Sequence, residues 1–127
     1  MLDLATAWAA DREQFGKPIG SFQGVSFKLA DMRTELEAAE LLMLRTPWKL
    51  DRGKATDAEC SMAKLYASEM LGRVTDNAVQ IFGGMGVVQD APIERFWRDA
   101  RIERIWDGTS EIHRHIISRD LLRRVGA

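Results

Sequence analysis

An acidic residue directly before a glycine is the feature of this sequence best suited to chemistry. Asp107 and Gly108 lie in the stretch RIWDGTSEIHR and are followed by Thr109 and Ser110. Thr and Ser are typical of helix starts, where free backbone N–H groups favour anions and electron-rich acceptors. The pattern therefore has two interpretations: a helix N-terminus alone, or a helix N-terminus that presents a carboxylate base to a substrate.

Two further stretches combine polar residues and glycines near predicted helix ends. Arg12 begins REQFGKPI, with Gln23 soon after it, and a guanidinium group matches phosphate oxygens. Gln80, Gly83 and Gly84 lie in AVQIFGGMGV, and glycines after a helix let a ligand approach the backbone. The alternatives are a solvated arginine at a helix end, a polar residue near a helix start, and a helix C-cap. A C-cap explains one glycine more easily than several.

The remaining residue types exclude several function classes. Glu111, His113 and His115 do not predict a metal site, because residues two apart point to different sides of a helix. With 18 basic and 19 acidic residues, the net charge of −1 gives no electrostatic reason to expect nucleic acid or an anionic membrane surface. No apolar run approaches the roughly 20 residues that span a bilayer. We expect no metal, no nucleic acid and no membrane span.

Cys60 is the single cysteine, so it cannot form an internal disulfide, and we expect a reducing compartment. The first residues, MLDLATAWAADREQFG, lack the features of a signal peptide. The expected location is a bacterial cytoplasm, or the mitochondrial matrix if the source is eukaryotic. Cys60 lies in an alanine-rich stripe and is expected to be a small core residue.

Two long helices are predicted to position these residues. Residues 22–50 carry one apolar stripe at spacings of three and four, formed by Val25, Leu29, Met32, Leu36, Ala39 and Met43. Residues 57–82 carry a second stripe, formed by Cys60, Ala63, Ala67, Leu71, Val74, Ala78 and Ile81. Thr56 and Glu59 form the capping-box pattern that starts the second helix.

Shorter elements flank the two long helices. Residues 2–14 are expected to be the tail of a first helix. The GGMG stretch ends the second long helix, and Pro92 begins a short charged helix over residues 92–104. Thr109 or Ser110 caps a last helix that runs to about residue 124. The fold class is therefore all-α: an up-down four-helix bundle with two long central helices and a short extra helix before the last. Residues 1–127 form one domain.

Four blocks of sequence together resemble the C-terminal helical domain of the acyl-CoA dehydrogenase superfamily of flavoproteins. They are REQFGKPI, the nearby Gln23, AVQIFGGMGV, and PIERFWRDARIERIWDGTSEIHR, and the resemblance extends from about residue 2 to residue 124. It implies a subunit with an N-terminal α-domain and a middle β-domain, both absent from this chain. It also implies FAD between the middle domain and the bundle, in contact with a neighbouring subunit's bundle.

The resemblance implies an oxidoreductase of fatty-acid β-oxidation. Such an enzyme removes a proton alpha to an acyl-CoA thioester carbonyl and transfers a hydride from the beta carbon to the flavin. Asp107 matches the position of the catalytic base, and Gly108 matches a position that lines the substrate site. Matches to FAD contacts are Arg12, Gln23, Gln80, Gly83, Gly84, Thr109, Ser110 and Glu111. The expected partners are an acyl-CoA, electron-transferring flavoprotein as acceptor, and further copies of the subunit in a dimer or tetramer.

Asp107 departs from the family pattern, in which most members carry Glu-Gly-Thr. Aspartate is shorter by one methylene, roughly 1.5 Å. Three alternatives follow: Asp107 is the base in an Asp-Gly branch of the family, the enzyme resembles nitroalkane oxidase, or the base lies elsewhere in the subunit. An acyl-CoA-oxidase-like enzyme would use oxygen as acceptor. A different class also stays open, a non-catalytic helical module for oligomerisation. In either class we expect the 127-residue chain alone to bind FAD weakly and to be inactive.

Overall fold

The computed structural model describes residues 1–126 and is almost entirely helical. Its five helices are α1 (Leu2–Asp11), α2 (Gln23–Leu50), α3 (Asp57–Phe82), α4 (Pro92–Ile102) and α5 (Ser110–Arg123). Two short 3-10 segments, Ile19–Ser21 and Gly83–Val87, follow the first turn region and α3. The all-α prediction is confirmed, with two long helices and a short one before the last.

The first helix is shorter than the sequence pattern predicted. α1 ends at Asp11, and Glu13–Gln14 forms a small antiparallel strand pair with Lys17–Pro18. Phe15 and Gly16, at the turn between the two strands, have φ values of 54° and 78°. Two successive residues with positive φ are what a two-residue hairpin turn requires, so the chain reverses here and the helix cannot continue.

The junction between α2 and α3 follows the predicted capping box. The backbone N–H of Glu59 donates to the Thr56 hydroxyl at 3.2 Å, and the backbone N–H of Thr56 donates to the Glu59 carboxylate at 3.2 Å. Glu59 also pairs with Lys49 and with Arg45 near the end of α2. One carboxylate therefore starts α3 and ties it to α2.

The core lies where α1 crosses α2 and α3, and it contains small residues at close helix contacts. α3 packs against each of the other four helices. Trp8 of α1 stacks on Phe82 of α3 with ring centroids 4.7 Å apart. The buried cluster consists of Ala5, Ala9, Met32, Ala39, Met70, Val74, Ala78, Ile81 and Ile93. Alanines on α1 and α3 let the helices approach closely, so α3 is the element on which the others are assembled.

The prediction that Cys60 is a core residue is wrong, and Met43 of the α2 stripe is uncovered as well. Met43 is 50% exposed and Cys60 is exposed, and both line an open groove between α2 and α3. α1 has only ten residues, about 15 Å of helix, whereas α2 with 28 residues extends about 42 Å. The distal parts of both apolar stripes therefore have no helix above them, and Met43 and Cys60 stay uncovered.

Among residues 1–126, no helix has both the length and the apolar character needed to cross a bilayer. The same residues contain no group of three His, Cys, Asp or Glu side chains arranged to hold a metal ion. His113 lies buried against the turn before α5, and the exposed His115 lies elsewhere on that helix. The two histidines do not form a common site.

Candidate functional site

The turn that carries Asp107 connects α4 to α5. Asp107 and Gly108 both have left-handed backbone conformations, with φ of 52° and 94°. Asp is one of the few side chains that adopts this region at low cost, and Gly adopts it freely. Asp107 is exposed, whereas Gly108 is half-buried. The Asp107 carboxylate therefore lies on the solvent side of a sharp turn, directly before the N-terminus of α5. We call this turn, residues 103–110, the corner.

A lysine on α3 holds both sides of this corner. The Lys64 ammonium donates to the main-chain oxygen of Glu103 at 2.7 Å and to that of Gly108 at 2.8 Å. Its two acceptors stand before and after Asp107 in the chain. Sequence patterns alone did not predict this contact. The one feature of the sequence that could have indicated the contact is a basic residue beside the alanine-rich stripe of α3.

Glu69, also on α3, forms a second attachment. It accepts a hydrogen bond from the Ser110 hydroxyl at 2.8 Å and lies 3.5 Å from the Arg104 guanidinium and 3.6 Å from that of Arg114. The Ser110 hydrogen bond, with the positive charges of Arg104, Arg114 and Arg73, lowers the pKa of Glu69, while partial burial opposes the change. Glu69 therefore binds α5 and the end of α4 as an ionised carboxylate.

Glycine at position 72 makes room for Arg104. A Cβ atom at Gly72 would lie 1.7 Å from an Arg104 guanidinium nitrogen, so no side chain fits there without displacing the arginine. The charged residues of the predicted short helix do not all pair within it. Arg98 pairs with Glu94 on the same helix, at 3.4 Å, whereas Arg104 pairs across with α3.

His113 packs under the corner. Its side chain is 9% exposed, and a Cβ atom on Gly108 would lie 3.1 Å from its Nε2 atom. Neither ring nitrogen has a hydrogen-bond partner within residues 1–126. The ring fills the space below Gly108, and this is a second reason, besides φ, for glycine at that position.

The N-terminus of α5 is capped by its own residues. The Thr109 hydroxyl accepts from the backbone N–H of Ile112 at 3.3 Å. Hydrogen bonds from its own backbone N–H and from the Thr109 hydroxyl lower the pKa of Glu111. Ser110 is buried, and its N–H donates to the Arg104 carbonyl at 3.1 Å. Glu111 is exposed and Thr109 is half-buried, while Ser110 faces α3.

A second group of predicted residues lies around a cleft of about 550 Å³ at the other end of α3. Arg12, Gly83 and Gly84 line it together with Trp8 and Phe82. Gly83 has a φ of 61°, and a Cβ atom at Gly84 would meet nothing within 4 Å. The backbone at these two glycines is therefore accessible to a ligand, next to a guanidinium group.

The neighbouring residues have other roles. Gly86 is buried, and a Cβ atom there would lie 2.8 Å from the Val79 carbonyl oxygen, so Gly86 serves close packing. Gln23 and Gln80 are exposed, on the first turn of α2 and the last turn of α3. Phe15, at the hairpin tip, is 92% exposed. Sequence patterns did not predict its exposure, because the hairpin itself was not predicted.

The two groups do not form one continuous site in this chain. Glu69, beneath the corner, and Phe82, beside the cleft, are separated along α3 by about 20 Å at 1.5 Å per residue. The structure therefore brings Arg12, Gly83 and Gly84 together. It separately brings together Asp107, Gly108, Thr109, Ser110 and Glu111. A ligand that touches one group need not be the ligand that touches the other.

Gly108→Ala is expected to destabilise the protein more than Gly53→Ala. Both glycines have positive φ, 94° and 62°, but only Gly108 has His113 within 4 Å of the added methyl group. A left-handed alanine costs about 1–2 kcal/mol. We expect Gly53→Ala to lie at the low end of that range and Gly108→Ala to exceed it, by equilibrium urea denaturation. Equal losses would show that His113 moves aside freely.

Acidification is expected to weaken the attachment at Glu69. The pKa of Glu69 is lower in the folded state than its ordinary value of 4.5. Its stabilising contribution is therefore present above pH 4.5 and is lost as the pH falls through the folded value. We expect Glu69→Gln to reduce the dependence of unfolding free energy on pH below 4.5.

Glu37→Gln is the matched control, because it removes an exposed carboxylate paired with Arg33 one turn away on the same helix. This control should leave most of the pH dependence in place. An unchanged pH profile for Glu69→Gln would contradict the attachment.

Comparison with known proteins agrees with the motifs and with the fold. The sequence model of the family described as acyl-CoA dehydrogenase, C-terminal domain, matches residues 1–122. The chain is 48% identical over 122 residues to the mitochondrial short-chain specific acyl-CoA dehydrogenase of Rattus norvegicus, covering 96% of this chain and 30% of the relative. It is 44% identical over 123 residues to the caffeyl-CoA reductase-Etf complex subunit CarC of Acetobacterium woodii, covering 97% and 32%.

The solved structure of butyryl-CoA dehydrogenase from Megasphaera elsdenii superposes on this bundle with a TM-score of 0.94. It is 43% identical, and the match covers 96% of this chain and 32% of that one. The chain thus spans about a third of the length of the relatives it matches. Because the match extends over nearly the whole chain in both sequence and structure, this chain belongs to the acyl-CoA dehydrogenase C-terminal domain family.

Proposed function

We propose that this chain acts as the C-terminal domain of an FAD-dependent acyl-CoA dehydrogenase, with Asp107 as the catalytic base. The observation that carries the proposal is the corner at Asp107 and Gly108, where left-handed backbone presents an exposed carboxylate beside the N-terminus of α5. A substrate carbon placed over that carboxylate would lose its alpha proton to an Asp107 oxygen. FAD, when bound, would supply the acceptor for the hydride from the beta carbon, and the product would be a trans-2-enoyl thioester.

The corner suits a base that must be placed accurately. Catalytic groups have to be held within about half an ångström of the productive geometry. Lys64 and Glu69 attach the segment around Asp107 to α3 by hydrogen bonds of 2.7–2.8 Å. We propose that this support compensates for the shorter aspartate side chain. Gly108, which has no side chain beside the carboxylate, would line the substrate site.

The cleft at the other end of α3 fits the phosphate portion of FAD. Arg12 supplies a forked cationic donor, and Gly83 and Gly84 supply backbone without side chains in the way. Gln23 and Gln80 are proposed to add polar contacts from the surface near these helix ends. Because the cleft and the corner are well separated along α3, we propose that they contact different FAD molecules, the cleft holding that of a neighbouring subunit.

At the corner, the FAD contacts are proposed for the residues that face outward. Glu111 is exposed and Thr109 is half-buried at the α5 N-terminus, where the helix dipole favours an electron-rich acceptor. The Ser110 hydroxyl already donates to Glu69. We therefore propose that Ser110 contributes mainly by holding the corner in place.

The complete enzyme requires more than this domain. Many large apolar side chains are exposed, including Leu44, Trp48 and Leu50 on α2 and Leu121 on α5. We propose that an N-terminal α-domain, a middle β-domain and other subunits of a dimer or tetramer cover such faces. The Etf complex in the name of the Acetobacterium relative supports electron-transferring flavoprotein as the acceptor. The location is proposed as a bacterial cytoplasm, or the mitochondrial matrix in a eukaryote, as for the rat relative.

One alternative chemistry is favoured by a specific residue. Asp107 stands where glutamate is usual, and nitroalkane oxidase, which shares the fold, uses an aspartate to deprotonate an acidic carbon. The dehydrogenase proposal is favoured because the relatives reported above are named for acyl-CoA or caffeyl-CoA substrates. Turnover of a nitroalkane without turnover of any acyl-CoA would reverse this preference.

Asp107→Asn in the full-length enzyme is expected to abolish dehydrogenation of acyl-CoA. The amide cannot accept the alpha proton, so we expect kcat to fall by about 10²–10⁴-fold while the FAD content stays normal. Asp107→Glu is expected to retain partial activity, because the carboxylate is kept but moved by one methylene.

Asp51→Asn, at the exposed end of α2, is the matched control and should leave kcat unchanged. The measurement is the single-turnover rate of flavin reduction by several acyl-CoAs, followed by absorbance. Normal turnover by Asp107→Asn would exclude Asp107 as the base.

Arg12→Gln in the full-length enzyme is expected to lower FAD occupancy. Loss of the charged fork from the cleft removes contacts to phosphate, and we expect FAD affinity to fall by about tenfold, the equivalent of 1.4 kcal/mol. Arg33→Gln removes an exposed arginine of α2 that pairs with Glu37 of the same helix, and it should leave FAD occupancy unchanged.

The isolated 127-residue chain is expected to bind FAD weakly. A yellow, FAD-saturated preparation of that chain would contradict this expectation.

A further inference from the structure

Lys64 of α3 attaches to the corner at two points that lie on either side of Asp107. Lys64 lies on α3, partly buried, and its ammonium reaches two main-chain oxygens that are 39 and 44 residues away in sequence. Glu103 follows the last residue of α4, and Gly108 directly follows Asp107. One cation therefore bridges the two ends of the short segment that contains the proposed base.

Both acceptors are groups that need a donor from elsewhere. The last carbonyls of a helix have no partner within it, and Glu103 is the C-cap residue of α4. Gly108 lies in a left-handed turn, where its carbonyl is outside the regular ladder of α5. A charged donor makes stronger hydrogen bonds than a neutral one, and a lysine is favourable beside the negative end of a helix dipole.

We propose that Lys64 is a positioning residue for proton abstraction, and this inference rests on the proposed function of Asp107. The ammonium fixes the carbonyls before and after Asp107, so it fixes the path of the backbone from which the carboxylate projects. A displacement of about 1 Å at a catalytic group can lower a rate by about a hundredfold. Lys64 thus acts on the reaction through Asp107, without touching the substrate.

The other attachments allow this role to be separated from folding. Glu69 holds Ser110 and Arg104, and the ring of His113 packs under Gly108. We expect these contacts to keep α5 and the end of α4 on α3 when Lys64 is removed. We therefore expect the loss of Lys64 to change mainly the geometry of the corner.

The test uses the full-length enzyme with Lys64→Met, which keeps the apolar stem and removes the ammonium. We expect the rate of flavin reduction by acyl-CoA, and the rate of alpha-proton exchange into D₂O, to fall by about 10–100-fold. The KM for acyl-CoA should change by less than about threefold, because Lys64 makes no proposed substrate contact. Amide hydrogen exchange over residues 104–110 should become faster, while exchange in the rest of α5 and the FAD content stay unchanged.

Two further variants complete the design. Lys64→Arg keeps a cationic donor that can reach carbonyl oxygens, and it should restore most of the rate and of the amide protection. Lys28→Met is the matched control, because Lys28 also crosses from its helix to α3, where it donates to Asn77 at 3.3 Å. It should leave the corner and the rate unchanged. If Lys64→Met does not fold, the same measurements on Lys64→Gln should show an intermediate loss of rate and protection.

The outcomes separate the two proposals. Lys64→Met or Lys64→Gln with normal rate and normal exchange at residues 104–110 would overturn the role of Lys64, whatever Asp107 does. A loss of FAD content and of protection throughout α5 would also overturn it, in favour of a purely structural role. A third outcome is normal turnover by Asp107→Asn together with faster exchange at the corner in Lys64→Met. It would refute Asp107 as the base and Lys64 as a positioning residue for catalysis, and Lys64 would keep only its structural role at the corner.

Discussion

The corner, the turn between α4 and α5, depends on side chains of α3 that form hydrogen bonds with its polar groups. The turn has left-handed backbone at Asp107 and Gly108, and the Glu103 carbonyl at the end of α4 has no partner within its own helix. Local hydrogen bonding alone therefore cannot stabilise the turn. Lys64 and Glu69 supply the missing partners from one turn to the next along α3. Both side chains project from a packed helix, so their hydrogen bonds position the turn more rigidly than water does.

The same helix separates the two proposed cofactor contacts. α3 has 26 residues, about 39 Å of helix, with the corner near its middle and first half and the cleft at its C-terminal end. Trp8 stacked on Phe82 fixes α1, and with it Arg12, beside that end. In an assembly of identical subunits, each proposed FAD could then touch the corner of one bundle and the cleft of another. This arrangement would couple cofactor binding to assembly.

The buried core contains many small residues, and these lie at helix contacts. Ala5, Ala9, Ala39 and Ala78 are buried where helices meet, and larger residues such as Met43 and Trp48 remain exposed. The alanines let α1, α2 and α3 approach closely where they cross, and α3 also packs against α4 and α5. Many large apolar side chains elsewhere are exposed, and under the proposed function other domains and subunits would cover them.

Local features of the sequence determined the helices and the candidate motifs. The capping box at Thr56 and Glu59, the proline at position 92 and the spacing of apolar residues predicted the boundaries of α2, α3, α4 and α5 to within about two residues, because each signal acts over about one helical turn. The resemblance of the motifs predicted the family. Tertiary structure alone decided that Lys64 reaches across 44 residues to Gly108, that Cys60 stays exposed, and that Arg12 and Asp107 lie in different places. These outcomes depend on which helix covers which face, and a periodic pattern shows that a face is apolar without showing what packs against it.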